Sequence, residues 1–480
     1  MIKQDETIKH FVNLAKSDFS QVEENLSKII FELQHSQNKG LNYIESFDEQ
    51  LVLKQLENLR NSNKKGKLFG VPITVKDAIV VKDLESKAGS RILAGYKPQF
   101  DATVIKKARE EGAIILAKTT QDEFGFGTFS TNTIKVPKNP FDQNRSCGGS
   151  SGGSGGFTAY TSAYHLSIGE STGGSIACPA SYCGVNGLTP TYGLVSRNGL
   201  IDYANSLDKI GAIGRNTFDS ELLLNVISGK DEMDSTNLGI NYAVDDYDLD
   251  ALDLNELNKD VNKIAVIKDF YEFCDQDVKK VFDKQIEKLR EFVEVEEVSL
   301  PLNVKYALSA YYIIATSEAS TNLAKLSGLR YGIQEDVDGL HFDDYFSLVR
   351  SANFSDEAKR RIILGTFARM SGFRDAYYLK SLKVRTKLIN EFKSAFKNYD
   401  LLLNPTMSTV APRFDEIEKL TPIQNYAMDL CTVPANLAGL PHLSSPIGFS
   451  QDMPVGLMTV ANHLEEKKLT AFGKLIEMIN

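Results

Sequence analysis

Cysteine is scarce. There are five in 480 residues, at positions 147, 178, 183, 274 and 431, odd in number and unevenly spread. That pattern fits a reducing compartment better than a disulfide framework. Cys178 and Cys183 lack a second ligand pair, and none of the six histidines forms an H-x-x-x-H pair, so neither a structural metal nor a zinc mechanism is expected. No stretch approaches the roughly 18 to 20 apolar residues of a membrane span. The start, Met1-Ile2-Lys3-Gln4-Asp5-Glu6, lacks the basic-then-apolar order of a secretory signal, and a cytoplasmic location without membrane contact is expected. Positive charge is also short, with 54 Lys and Arg against 63 Asp and Glu, a net charge of −9. Such a surface repels a phosphate backbone, so any nucleic acid is expected to be held by a separate partner chain.

The hydrophobic content of 42% and charged content of 24% are those of a globular chain long enough for one large core or two ordinary ones. Residues 1–60 read as helices, with Ile8, Phe11, Val12, Val22, Leu26, Ile29 and Leu33 near helical spacing and a break at Gly40. Residues 61–66 form a polar linker, and the strand-like run 68–75 delivers Lys76. Asp101-Ala102-Thr103 caps a helix to Glu111, Gly112 ends it, and 113–117 is a short buried strand. This alternation predicts an α/β sheet with helices on its faces. Further strands are expected at 165–168, 261–267 and 401–405, and helices at 276–292 and across 357–397 with a break near Gly372. Residues 231–260 carry ten acidic side chains and few large hydrophobics, which reads as a mobile surface excursion.

The one compositional spike is Cys147-Gly148-Gly149-Ser150-Ser151-Gly152-Gly153-Ser154-Gly155-Gly156. Each glycine loses more backbone entropy on folding than other residues do. So dense a run suits a place where backbone must approach a ligand closely. Before it stands Gly70-Val71-Pro72-Ile73-Thr74-Val75-Lys76-Asp77, and after it Gly169-Glu170-Ser171-Thr172-Gly173-Gly174-Ser175. A serine hydroxyl needs a base, and no histidine sits in a triad-like motif; a lysine desolvated at the end of an apolar strand can serve instead. Turn serines are placed to relay the proton, and Thr172, Gly173 and Gly174 to aim N–H groups at a developing oxyanion. Taken singly, the lysine reads as a solvated strand end and the Gly/Ser run as a linker. A nucleotide loop is disfavoured because G-x-x-x-x-G-K-[ST] is absent. The order and spacing of the three segments carry the chemistry.

These segments resemble the amidase signature family from about residue 65 to the C-terminus. Narrower matches, among them 118–124, 182–193, 205–208, 360–366 and 436–441, are most similar to its glutaminase members that serve tRNA-dependent amidotransferases. The resemblance implies a single large α/β/α domain over 61–480 with a central mixed β-sheet covered by helices, and an N-terminal helical segment, 1–60, packed on it. It implies Ser175 as nucleophile, Ser151 as a bridging serine held by a cis peptide bond, neutral Lys76 as base, and Thr172, Gly173 and Gly174 as the oxyanion loop. Glutamine is the implied substrate, its carboxylate held by Arg361 and its ammonium by Asp429, with Tyr312 as a further pocket residue. No cofactor is implied for this chain itself. ATP and magnesium are implied on a tRNA-binding B subunit, with a small C subunit completing the assembly. Ser171 and Ala177 replace the aspartate and arginine the family commonly carries, which leaves the rigidity of the turn open. Thr189, where the family often has lysine, is expected at the surface. A free-standing amidase for another small amide and a catalytically silent scaffold are the rival readings.

Overall fold

The computed structural model describes residues 6–63, 65–244, 253–336 and 338–480. Among these described residues eleven strands form one mixed sheet: β1 (Ile44–Phe47), β2 (Pro72–Lys76), β3 (Ile114–Thr119), β4 (Leu166–Ser171), β5 (Asn186–Thr189), β6 (Lys209–Gly214), β7 (Lys263–Ile267), β8 (Glu294–Val298), β9 (Leu401–Pro405), β10 (His442–Ser450) and β11 (Met453–Ala461). Their spatial order is β1-β3-β2-β4-β6-β5-β10-β11-β9-β7-β8. Parallel pairs β2/β3 and β2/β4 lie toward one edge and β7/β8 and β7/β9 at the other, with antiparallel pairs between them. β2, β3, β4 and β6 are buried along their whole length, as strands covered on both faces must be. The expected α/β architecture is therefore present.

The N-terminal segment is not wholly helical. Helices Ile8–Ser17, Ser20–Asn38 and Glu49–Arg60 are interrupted by β1, which pairs antiparallel with β3 and makes the segment part of the sheet. Four residues with no strong alternation carry little signal beside two long amphipathic helices. Ile8, Phe11, Val12 and Ala15 are buried, Phe11 stacks on Tyr164 with centroids 4.8 Å apart, and the Ile8 N–H donates to Asp219 at 2.8 Å. Thr189 is fully buried in β5, so it is no surface position. The acidic stretch is anchored where it begins. Asp231 accepts from Ser196 at 2.6 Å and Thr103 at 2.5 Å, and Asp234 from the Arg197 N–H at 2.8 Å. Residues 245–252 of that stretch lie outside the described residues.

Two helices beside the sheet bear on the site. Pro301–Asn322 opens on proline at its first turn, where the missing N–H costs nothing. Asp356–Arg369 is capped by Ser355, whose side chain accepts the Ala358 N–H at 3.3 Å, and Asp356 and Glu357 in its first turn complement the helix dipole. Ser355 is itself tied down, its N–H donating to Glu123 at 3.0 Å. The helices pack at Gly365, where a Cβ would overlap the Thr316 carbonyl and lie 2.9 Å from Ser317 N. Alanine in a helix interior gains about 1 kcal/mol over glycine, but overpacking against backbone costs about 1–3 kcal/mol. Gly365→Ala should therefore lower the melting temperature measured by circular dichroism. An unchanged or raised melting temperature would contradict the close approach.

Candidate active site

β2 and β4 run parallel side by side, Val75 opposite Ile168, so their C-terminal ends deliver Lys76 and Glu170 to one spot. Lys76 is fully buried. Its Nζ lies 2.7 Å from Ser150 Oγ, 2.8 Å from the Glu170 carbonyl and 2.8 Å from Glu170 Oε2. The amine expected among apolar neighbours has a carboxylate for a partner. Glu170 is a functional-site residue that sequence reasoning missed. The available signal was an acid in a buried strand directly before the Gly-rich turn.

The Gly/Ser run is a tightly tied loop leading into the helix Gly152–Tyr160. Gly149 N–H donates to Thr128 O at 2.7 Å, Ser150 O accepts from Asp122 N–H at 3.2 Å, and Ser130 Oγ donates to Gly148 O at 2.8 Å. The Asp122 carboxylate accepts N–H groups of Ser130 at 3.0 Å and Asn132 at 2.9 Å, and burial pushes its acid up to about 6. Only glycine fits at 149, where a Cβ would lie 2.7 Å from Ser130 N and 2.8 Å from Phe129 N. The Gly149–Ser150 peptide bond is cis.

The geometry expected of Ser151 is therefore found one residue earlier. The serine that follows the cis bond and meets Lys76 is Ser150, not Ser151. Ser151 turns its hydroxyl to Glu170 O at 3.2 Å, and its N–H donates to Ser175 O at 3.2 Å, so it clamps the two loops together. Two adjacent serines carry the same chemistry in a sequence, and only the backbone path decides which one faces the amine.

Ser175 closes the turn that follows β4. It is 7% exposed where Lys76 and Ser150 are 0%, so of the three it is the one open to a ligand. Its N–H donates to Ser171 Oγ at 3.1 Å. The hydroxyl at 171 thus fixes the turn, which answers the question of rigidity left by the missing charge pair. Ala177 is buried, with no charge to satisfy. Among the described residues the N–H groups of Gly173 and Gly174 donate to nothing. A Cβ at Gly173 would sit 3.0 Å from Tyr311 Oη and 3.0 Å from Val433 Cγ2, so the turn is held close from outside.

Thr172 belongs to a different network from its two neighbours. Its Oγ1 lies 2.9 Å from Glu170 Oε1 and 2.9 Å from Asp208 Oδ1. The Thr172 hydroxyl therefore stands between two carboxyls, within hydrogen-bond distance of both. Burial and the neighbouring Glu170 push the acid of Asp208 well above the usual range, although it accepts the N–H groups of Tyr203 and Ala204 at 3.0 Å.

Arg361, Asp429 and Tyr312 come together as a second cluster. Arg361 is buried, its Nε on Glu357 at 2.7 Å and Nη1 on Tyr203 Oη at 2.5 Å. Its guanidinium centre lies 5.1–5.8 Å from the ring centroids of Phe126, Tyr203, Tyr312 and Tyr426, an aromatic box for a cation. Tyr312 stacks on Tyr426 at 4.1 Å and donates to Asp429 at 2.6 Å. Asp429 also accepts from Thr128 at 2.9 Å, and burial raises its acid. Thr128 is the residue whose carbonyl holds Gly149, so the cluster and the Lys76–Ser150 loop share one support. A cleft of about 390 Å³ is lined in part by Glu123, Asn132, Phe354 and Glu357, the last of which is the partner of Arg361 Nε.

Other candidate bases are engaged elsewhere. His165 bonds Thr74 at 2.9 Å, and burial drives its pKa down to about 3. His442 faces Leu440 O at 3.1 Å and His463 faces Ala438 O at 3.1 Å. Lys118, buried and lowered to about 8 by desolvation, contacts Asp77 O at 3.1 Å and Ser86 at 2.9 Å and does not reach the Gly/Ser loop. Cys178 and Cys183 bond separate carbonyls, Thr128 O and Cys147 O, each at 3.4 Å. Among the described residues no group of three or more His, Cys, Asp or Glu is placed to hold a metal, and no helix is long and apolar enough to cross a membrane.

The amidase family model matches residues 26–470. The chain is 46% identical over 427 residues to the A subunit of the glutamyl-tRNA(Gln) amidotransferase of Archaeoglobus fulgidus, covering 88% of this chain and 89% of that one. It is 44% identical over 423 residues to the protein of the same name in Staphylococcus haemolyticus, covering 87% and 84%. Among solved structures, the A subunit of the Thermotoga maritima glutamyl-tRNA(Gln) amidotransferase superposes with a TM-score of 0.77 at 34% identity, over 99% of this chain and 96% of the other. A bacterial aryl acylamidase shares the fold with a TM-score of 0.81 at 22% identity, over 99% and 96%. This chain belongs to the amidase family.

Proposed function

We propose that this protein is the glutamine-hydrolysing component of a tRNA-dependent amidotransferase. The observation that carries the reading is the Arg361–Tyr312–Asp429 cluster, joined through Thr128 to the loop that presents Ser150 to Lys76. A free amino acid offers a carboxylate and an ammonium at one carbon, and this cluster offers a cation and an anion side by side. Arg361 suits the carboxylate, since its Nη2 has no acceptor among the described residues, and Asp429 suits the ammonium.

Ser175 Oγ attacks the side-chain amide carbon of glutamine. Its proton moves through Ser150 toward Lys76, and the N–H groups of Gly173 and Gly174 donate to the oxygen that gains charge. Collapse of that intermediate returns the proton to the departing nitrogen, ammonia leaves, and water resolves the acyl-enzyme. The ammonia then serves a partner B subunit that binds tRNA, ATP and magnesium and converts Glu-tRNA(Gln) or Asp-tRNA(Asn) to the amidated form. A small C subunit completes the assembly, and the complex works in the cytoplasm. The net charge of −9 accords with tRNA being bound through the partner.

Ser175→Ala should reduce glutamine hydrolysis by the assembled complex about a thousandfold or more, as loss of a covalent nucleophile does. Ser150→Ala should cost roughly 10²–10⁴-fold, the range of a proton-transfer group, while Ser151→Ala costs less than about tenfold. The reverse order for Ser150 and Ser151 would restore the bridging role to Ser151. Bonds to a charged group are worth about 1.5–3 kcal/mol, so Arg361→Ala should raise KM for glutamine roughly 10- to 150-fold. An unchanged KM would favour a free-standing amidase for another small amide. Ammonia release by the purified complex measures all four variants.

A further inference from the structure

Lys76 has an unusual number of acceptors for a residue meant to take a proton. Its Nζ faces three oxygens within 2.8 Å: Ser150 Oγ, the Glu170 carbonyl and Glu170 Oε2. An ammonium has three N–H donors, one for each. Held this way, Lys76 has no lone pair to offer Ser150 unless it first gives a proton away, and among these three oxygens Glu170 Oε2 is the basic one. The other oxygen of that carboxylate, Oε1, lies 2.9 Å from the Thr172 hydroxyl, which is also 2.9 Å from Asp208 Oδ1. The structure therefore contains an unbroken line of hydrogen-bonding groups from Ser150 through Lys76, Glu170 and Thr172 to Asp208.

We propose that Glu170 is a positioning residue that acts through Lys76, receiving the proton that Ser175 loses and returning it to the leaving nitrogen. This rests on the serine–lysine reading above and adds the proton's destination. When the Ser175 Oγ–carbon bond forms, the Ser175 proton goes to Ser150 Oγ, the Ser150 proton to Lys76 Nζ, and one Lys76 proton to Glu170 Oε2. Ser150 ends with its O–H and Lys76 with three N–H bonds, so neither changes charge. The negative charge leaves Glu170 and appears on the tetrahedral oxygen. When the carbon–nitrogen bond breaks, the same protons run back and ammonia departs.

Several other ionisable groups face this line. Asp208 meets Glu170 through Thr172 and is itself raised in part by Asp202. Asp122, on the segment after β3, interacts with Lys76 and Arg361. Tyr203 and the Glu170 carboxylate both approach Gly125, at 3.5 and 3.7 Å from its Cβ direction. None of them is bonded to Lys76 Nζ apart from Glu170 itself.

The test is the ascending limb of activity against pH in Glu170→Gln, read two ways. One readout is glutamine hydrolysis by the complex, and the other is the rate at which a sulfonyl fluoride labels Ser175, followed by intact mass with Ser175→Ala as the blank. With the carboxylate gone, Lys76 must itself be deprotonated. The limb should then move to higher pH by about one unit or more, with kcat near pH 7 falling about tenfold and KM for glutamine within about twofold. Thr172→Val, which removes the donor to Oε1 and keeps the carboxylate, should move the limb the same way by less, and it decides the matter if Glu170→Gln does not fold. A limb that stays put, or moves to lower pH, overturns the proposal, because Glu170 would then only hold Lys76 as a cation. Labelling without glutamine turnover in the parent would sink the glutamine reading and leave the proton test intact. Failure to label Ser175 at all would overturn both.

Discussion

An amine and a carboxylate at the ends of two neighbouring parallel strands cannot be buried separately. Lys76 and Glu170 have side chains 0% and 3% exposed, and their 2.8 Å contact is what makes burial of both within the sheet tenable. Removing one partner from a buried pair leaves a charge without compensation, at about 3–5 kcal/mol. The rest of the site is arranged around that pair. The Gly/Ser loop brings Ser150 to the third N–H of Lys76, Ser151 ties the loop to Glu170 O and Ser175 O, and the turn after β4 follows directly from Glu170.

The same region shows how one network serves two ends. Thr128 holds Gly149 through its carbonyl and Asp429 through its hydroxyl, so the cluster containing Arg361 and the loop containing Ser150 cannot drift independently. Glu123 plays a similar part, anchoring Ser355 and with it the cap of the helix that carries Arg361. Catalysis by positioning requires this, since displacement of a reacting group by about 1 Å can cost roughly 10²-fold.

Much of the fold was legible in the sequence. The apolar run ending in Lys76, the strand 401–405 and the break at Gly112 all follow from periodicity and glycine placement. β1 was not legible, because four residues between long amphipathic helices carry no pattern strong enough to mark a strand. Thr189 was misplaced because a hydroxyl reads as polar, whereas in β5 it is enclosed by neighbouring strands. At the site, Lys76, Ser175 and the glycines stood out by spacing and composition. Ser150 and Ser151 were indistinguishable until the backbone path separated them. Glu170 escaped notice because its importance depends on the register of β2 against β4, which no local pattern records.

The central claim is that Ser175 forms the covalent bond to substrate. It is tested most directly by acid-quenching the complex during glutamine turnover and mapping the acylated peptide by mass spectrometry. The account predicts a glutamyl ester on Ser175. An ester on Ser150 or Ser151, or rapid turnover with no protein-bound acyl group under conditions where deacylation is slowed, would contradict it.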